Sequence, residues 1–492
     1  MAKTYERVVE ELIAGGVTHA FTLPGLGITW SLPGFKANED KIKVVLTRSE
    51  WIASIMAQVA GRLTRRPAVA MGQGPWMTTI GGIGILEAHF SGSPMLVLTE
   101  TSDYDGYGQM GVYQTMTGDY AGADVMASLK PITKYATYAT APAEAVYGVQ
   151  MAIKHASLPR MGPAAVAMKS TIIREDVPEP SKPVLYPGEG YHRHTPARPD
   201  GAAIAELARR IASAERPVII AGNGVVMTDS GARLQDMAEA CGCAVVTSYN
   251  GKGVVAETSV IAAGMLGTWG HACANRVLAA ADVVVALGAS LGPDYLRFRD
   301  PDLIRPGEQF IAQIDVDPRN AGWVYPVDLA ITGDVGDALD DLARHDLGAD
   351  QRGKRLAAIA EVRRKTGFDT LPETKAAQGS VHHGDLIRGL QAFMGDRDLI
   401  ALDAGANRIW ATHGLRNHKP QQFVVAGGTG AMGWGPPAAA AAKLVLPDRR
   451  VTCLDGDGGF MMTLQVITTA VQQNLDVVYI VDNNAGLGMV RD

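Results

Sequence analysis

Cysteine is scarce in this chain: four in 492 residues, Cys241, Cys243, Cys273 and Cys453. They are too few and too unevenly spaced for a disulfide framework, and they lack the paired arrangement of a zinc knuckle. A reducing compartment, the cytoplasm, is the simplest expectation. Charge of one sign is also missing. The 45 Lys and Arg residues and 51 Asp and Glu residues are interspersed and leave a net charge of −6, which gives no basic footprint for nucleic acid or an anionic membrane. No apolar run reaches membrane-spanning length, since the small-residue stretch Ala438 to Ala442 is interrupted by Lys443. The opening Met1-Ala2-Lys3-Thr4-Tyr5-Glu6 runs into a charged helix-like pattern and does not read as a signal peptide.

What is present is apolar and alternating. Hydrophobic residues make up 47% of the chain, and the long Ala/Val/Ile/Gly runs suit strands of parallel sheets covered on both faces. A prior of roughly 150 residues per domain suggests about three domains. The expected fold class is therefore α/β, with three Rossmann-like parallel-sheet domains linked by right-handed crossovers. The first block spans 1–175, with strand patterns at His19–Thr22, Val44–Leu46, Val69–Met71 and Met95–Leu98 and helix patterns at Tyr5–Ala14 and Ala53–Leu63. Residues 176–200 are rich in proline and read as a linker draped over the surface. The second block, 201–345, opens with a helix pattern at Ala202–Ala212 and strand patterns at 217–220, 244–247, 282–287 and 310–315. A charged helical stretch, Asp337–Lys365, leads through a second linker, 346–380, into the third block, 381–492.

The most informative pattern lies in that third block. Gly456-Asp457-Gly458 is followed after 24 residues by Asn483-Asn484, and valine-rich strand patterns precede both halves. A carboxylate and a side-chain amide at neighbouring strand ends can share one hard cation. Mg²⁺ favours such oxygen ligands and keeps substrate phosphates in its octahedron, while the glycines let the backbone approach a phosphate. In the first block, Glu50 ends the run Val44-Val45-Leu46-Thr47-Arg48-Ser49 and heads an apolar helix pattern. Alone it reads as a first-turn acid stabilised by the helix dipole. Around it stand Phe21-Thr22-Leu23-Pro24-Gly25, Gly72-Gln73-Gly74-Pro75 and Ala88-His89-Phe90-Ser91-Gly92-Ser93-Pro94.

Together these motifs resemble the acetolactate-synthase-like family of thiamine-diphosphate (ThDP) enzymes, which includes pyruvate oxidases and decarboxylases. The resemblance covers nearly the whole chain. It implies a pyrimidine-binding domain, a central domain and a diphosphate-binding domain for the three blocks. The third of these would be incomplete at its C-terminus, because relatives continue past the Gly488-Met489-Val490-Arg491 stretch. In this family the residue matching Glu50 hydrogen-bonds N1′ of the aminopyrimidine and so promotes loss of the thiazolium C2 proton. The cofactor then serves as nucleophile and electron sink. A carboxyl held against a ring nitrogen in an apolar cleft is expected to have a raised pKa. Gly430 and Met432, in Gly427-Gly428-Thr429-Gly430-Ala431-Met432-Gly433, would hold the pyrimidine edge and bend the cofactor. Gly405 and Asn407 would contact the diphosphate, with Gly456, Gly458, Gly459, Leu487, Gly488 and Met489 beside them. Mg²⁺ would be held by Asp457, the Asn484 side chain and the Gly486 carbonyl.

The implied reaction is attack on a 2-keto acid or related small carbonyl donor, C–C cleavage with decarboxylation, and transfer to a proton or carbonyl acceptor. The site would lie between subunits of a homodimer or homotetramer. Flavin adenine dinucleotide (FAD) is a further candidate cofactor, because the central domain binds it in some members and nothing catalytic in others. Departures from the family concern the substrate side. Tyr113-Gln114-Thr115 replaces a Phe-Gln-Glu triplet, leaving Gln114 as the candidate polar catalytic group, and Ser290 stands where an arginine is usual, with Arg297 and Arg299 nearby. Losing a guanidinium removes a bidentate carboxylate ligand. Cleavage of an acyloin, dione or CoA ester without a carboxylate donor is the alternative within enzymes. A non-catalytic cofactor-binding homologue is the alternative from another class. His89 reads as structural, and Trp30 and Trp76 could line a pocket or pack in a core.

Overall fold

The computed structural model describes residues 1–102, 114–115, 121–371, 374, 376 and 378–491. Three parallel sheets organise the chain. The first contains β1 (His19–Thr22), β2 (Lys43–Leu46), β3 (Ala68–Met71), β4 (Met95–Thr101), β7 (Tyr135–Ala139) and β8 (Pro163–Lys169), in the order β2-β1-β3-β4-β8-β7. The short strands β5 (Gln114–Thr115) and β6 (Ala123–Asp124) pair separately. The second sheet contains β9 (Pro217–Ala221), β10 (Ala244–Thr247), β11 (Ala262–Met265), β12 (Val283–Leu287), β13 (Phe310–Asp315) and β14 (Leu329–Thr332), ordered β11-β10-β9-β12-β13-β14. The third is β16-β15-β17-β18, from β15 (Leu399–Leu402), β16 (Phe423–Val425), β17 (Val451–Gly456) and β18 (Val477–Asp482).

In each sheet the chain winds out on one side of its first strand and then returns to continue on the other. The reversal leaves a crevice at the carboxyl ends of two adjacent strands, the usual ligand position in open α/β sheets. The crevices lie between β1 and β3, between β9 and β12, and between β15 and β17.

The chain forms two compact units that do not follow sequence order. Residues Met1–Thr195, Ala426–Val451 and Gly459–Val478 make the first; Pro196–Val425, Thr452–Gly458 and Tyr479–Asp492 make the second. Within the first unit the helix Glu50–Thr64 is almost wholly buried and packs against the helix Gly435–Val445. Ala438 to Ala442 are each fully buried there, because a face of methyl groups lets two helix backbones approach closely. The Trp434 indole, also fully buried, donates to Gln58 Oε1 at 3.2 Å.

The second unit contains a buried ion pair. Lys252 Nζ lies 2.9 and 2.7 Å from the two Glu257 carboxylate oxygens, with each side chain 1% exposed. The ammonium also faces the Phe423 ring at 4.7 Å. Asn417 Nδ2 donates to Val255 O at 2.7 Å, so the loop after β10 is tied to the segment entering β16. The charged stretch expected as one helix over Asp337–Lys365 is two, Val335–Leu342 and Arg352–Thr366, parted by a turn at left-handed Gly348. No described helix is long and apolar enough to cross a membrane.

Candidate active site

Glu50 is the first residue of its helix, and Ser49 caps that end by accepting from the Ile52 amide at 3.2 Å. The first-turn position foreseen from sequence is thus realised, but the side chain is 5% exposed. Its Cγ lies against Gly72, the residue after β3, which places the carboxyl beside one strand of the first sheet's crevice. Burial raises its pKa above the ordinary carboxylate range, partly opposed by a backbone hydrogen bond. The raised pKa expected for this residue is therefore present. Gly430 and Met432 sit in a half-buried turn of the same unit, with Gly430 at φ +63°.

In the second unit the loops following β15, β17 and β18 converge. Gly405 has φ +121°, and a Cβ there would lie 2.6 Å from Asn407 Oδ1, so only glycine fits. Asn407 is buried and turns its amide to Leu454 O on β17 at 3.4 Å, which couples the first loop to the second. A Cβ on Gly456 would meet nothing closer than Asn407 Oδ1 at 3.8 Å, so the crevice between β15 and β17 is open there. Asp457 follows as the first residue of a short helix, Asp457–Thr463, with Gly458 and Gly459 behind it. A Cβ on Gly488 would lie 3.0 Å from Asn484 Nδ2 and 3.7 Å from Ala406 Cβ, so the loop after β18 lies over the start of the Ala406–Gly414 helix. Asn484 Oδ1 accepts from the Gly486 amide at 3.1 Å, a tight turn carrying both remaining candidate metal ligands, with Leu487 exposed after it. Met489 is exposed on the short helix Gly488–Arg491.

These donors suit a hard cation and a phosphate. The described residues contain no cluster of three His, Cys, Asp or Glu side chains fit for a metal. A cation at Asp457 would instead draw on amide and carbonyl oxygens, the ligand set Mg²⁺ accepts alongside phosphate. One neighbour was not singled out in the sequence. Asp455 is buried, and burial together with the adjacent Asp403 carboxylate pushes its pKa up to about 10. The signal for it was the alternation Asp455-Gly456-Asp457 itself.

The central crevice is different. Gly222 and Gly224 donate to Leu287 O and Gly288 O at 3.0 and 2.9 Å, and a Cβ on Gly222 would come within 2.2 Å of Gly288 O. Asp315, at the end of β13, binds the Asn320 amide at 2.6 Å and the Asp317 N–H at 2.9 Å. These contacts tie the Gly222–Gly224 turn to the end of β12 and Asp315 to the turn that follows β13.

Other candidates fall as follows. The Gln114 side chain lies outside the described residues. Arg297 reaches Asp300, and Arg299 stacks over the Tyr325 ring at 5.4 Å. Trp30 is half-buried beneath the Arg174 guanidinium, 3.8 Å from its ring centroid. Trp76 is 40% exposed, so it is not core packing. His89 meets the edge of Phe90 and is held below the ordinary histidine pKa, chiefly by burial.

Comparison with known proteins gives the same three-part organisation. Residues 2–123 match "Thiamine pyrophosphate enzyme, N-terminal TPP binding domain", 204–342 its "central domain", and 403–492 its "C-terminal TPP binding domain". The mitochondrial acetolactate synthase catalytic subunit of Aspergillus candidus is 30% identical over 97% of this chain and 70% of its own length. The chain belongs to the thiamine-diphosphate-dependent, acetolactate-synthase-like enzymes. Further ThDP-enzyme relatives are a probable acetolactate synthase large subunit of Methanocaldococcus jannaschii and the isozyme 1 large subunit of Escherichia coli. Each is 29% identical over 99% of this chain, covering 81% and 82% of the relative. The two matched domains described as TPP binding are those that contain the first and the third sheet.

Proposed function

We propose that this enzyme binds ThDP with Mg²⁺ and cleaves a C–C bond of a 2-keto acid, releasing CO₂ and passing the remaining fragment to a proton or a carbonyl acceptor. The observation that supports this most is the contact among the loops after β15, β17 and β18, in which Asn407 meets Leu454 and faces Gly456, and Gly488 lies beside Ala406. When bound, ThDP supplies a carbon nucleophile and an electron sink. Asp457, Asn484 Oδ1 and the Gly486 carbonyl hold Mg²⁺; Gly405, Asn407, Gly458 and Gly459 flank the diphosphate, with Leu487, Gly488 and Met489 closing that side. Gly430 and Met432 support the pyrimidine. Glu50, protonated more readily than an ordinary carboxyl, holds the proton at the pyrimidine nitrogen. The site is completed in a homodimer or dimer of dimers, where Glu50 of one chain serves the cofactor of the other, in a cytoplasmic enzyme.

Ser290 in place of an arginine, with Arg297 taken up by Asp300, favours an acceptor other than a 2-keto acid. The same observation keeps a non-decarboxylating lyase in play as the second reading.

The deciding experiment measures CO₂ from pyruvate at saturating ThDP and Mg²⁺, alongside the melting temperature. Cofactor and metal together are expected to raise the melting temperature, since a ligand specific to the folded state stabilises it by about 2.7 kcal/mol at a hundredfold excess over Kd. Asp457→Ala should abolish that rise. Stabilisation without CO₂ moves the assignment to the non-decarboxylating lyase; no stabilisation refutes the cofactor site. Flavin absorbance of the purified protein tests the further candidate cofactor, FAD: a stoichiometric flavin assigns it to the central domain, and none removes it.

A further inference from the structure

The first unit contains a fully buried carboxylate with no part in the chemistry above. Glu87, on the helix Gly82–Ser91, is 0% exposed. It accepts from the Thr429 amide at 2.7 Å, from Thr429 Oγ1 at 2.9 Å, and from the Gly428 amide at 3.2 Å to each oxygen. We propose that Glu87 is a positioning residue, clamping the Gly428-Thr429 turn so that the backbone of Gly430 and Met432 is preset for the pyrimidine. This rests on the assignment of Gly430 and Met432 above.

The loop needs such an anchor. Gly427, Gly428 and Gly430 lie within four residues, and fixing the backbone costs about 1–2 kcal/mol per residue. Pinning the turn before the cofactor arrives removes part of that cost from binding. The far end is held separately, by the Trp434 indole on Gln58. Gln58 in turn donates to Ser93 Oγ at 3.0 Å. Gly428 is pressed close enough for a Cβ to come within 2.6 Å of Phe90 Cβ and 3.0 Å of Glu87 Oε2, so the turn has little room to shift. Burial works against a carboxylate here and raises its pKa, and the three donors, together with the attraction of buried Arg62, offset part of that cost. A carboxylate suits the position because it accepts on both oxygens and donates nothing. Glutamine would turn an N–H₂ toward one of those donors.

The test compares Thr429→Val, Thr429→Ser and Glu87→Gln in the full chain, reading the ThDP KM at saturating Mg²⁺, kcat at saturating ThDP, and the melting temperature without cofactor. Thr429→Val removes one charge-assisted hydrogen bond and should raise the ThDP KM about tenfold while lowering kcat less. Thr429→Ser should restore the wild-type value, and Glu87→Gln should exceed the valine effect. A ThDP KM unchanged in both Thr429→Val and Glu87→Gln overturns the clamp, as does a fall confined to the cofactor-free melting temperature. Failure of the wild-type protein to bind ThDP at all would sink the underlying site assignment, and the clamp with it.

Discussion

Glu50→Gln should lower kcat by about 10²–10⁴-fold, the usual contribution of a positioned acid–base group, with ThDP and Mg²⁺ still bound. The amide keeps the shape of the carboxyl but cannot exchange a proton with a ring nitrogen. Cofactor binding should survive, because the diphosphate and metal donors lie on other loops. A second signature separates catalysis from folding. Burial raises the Glu50 pKa, so its folded state favours the protonated carboxyl, and stability is lost as pH rises through the folded pKa. Glutamine is neutral throughout. The cofactor-free variant should therefore melt at or above wild type, by a margin that grows as pH rises above the ordinary glutamate pKa of about 4.3. The measurements are steady-state turnover, ThDP-induced stabilisation, and cofactor-free melting across that range. Full turnover in the variant would remove Glu50 from the mechanism; lost turnover with lost cofactor binding would make it a structural residue.

Glu257→Ala carries the largest expected cost in stability. Removing one partner of a buried ion pair strands the other charge and typically costs about 3–5 kcal/mol. Here the stranded group would be Lys252, against Phe423 and the Leu415 carbonyl, at the junction leading into the third sheet. Burial already lowers the Lys252 pKa, and Glu257 offsets that effect. Without Glu257 the folded protein should release the proton more easily than the unfolded chain. The deficit should then shrink as pH rises, because stability increases with pH wherever the unfolded state binds more protons. The double substitution Lys252→Met with Glu257→Leu should recover much of the loss by replacing charge with apolar volume. A Glu257→Ala protein with wild-type melting would show that the pair is not isolated from water.

The legible parts of the fold were those written in β-branched residues. His19–Thr22, Val44–Leu46 and Phe310–Asp315 announce strands through valine, isoleucine and phenylalanine. By contrast β8, Pro163-Ala164-Ala165-Val166-Ala167-Met168-Lys169, was missed, and so was β11, Ala262-Ala263-Gly264-Met265. Alanine and glycine have low strand propensity, and only burial between helices on both faces makes them strands. The candidate ligands were legible because Asp457 and Asn484 each follow a readable strand. Glu87 was not, since its partners Gly428 and Thr429 stand 341 and 342 residues away. Nothing in a local pattern reports that distance. Lys252 and Glu257 looked like any pair of surface charges, and their burial is a property of the packed second unit.

The interleaving of the two units bears on how the protein is made. Residues 1–195 leave the ribosome long before Ala426–Val451 and Gly459–Val478, the segments that complete their unit. At about 5–20 residues per second, the intervening stretch takes roughly 10–50 s to translate. During that interval the surface of the Glu50–Thr64 helix that later receives Ala438–Ala442 has no cover. Truncations ending between residues 196 and 425 should therefore precipitate, even though they retain an entire six-stranded sheet.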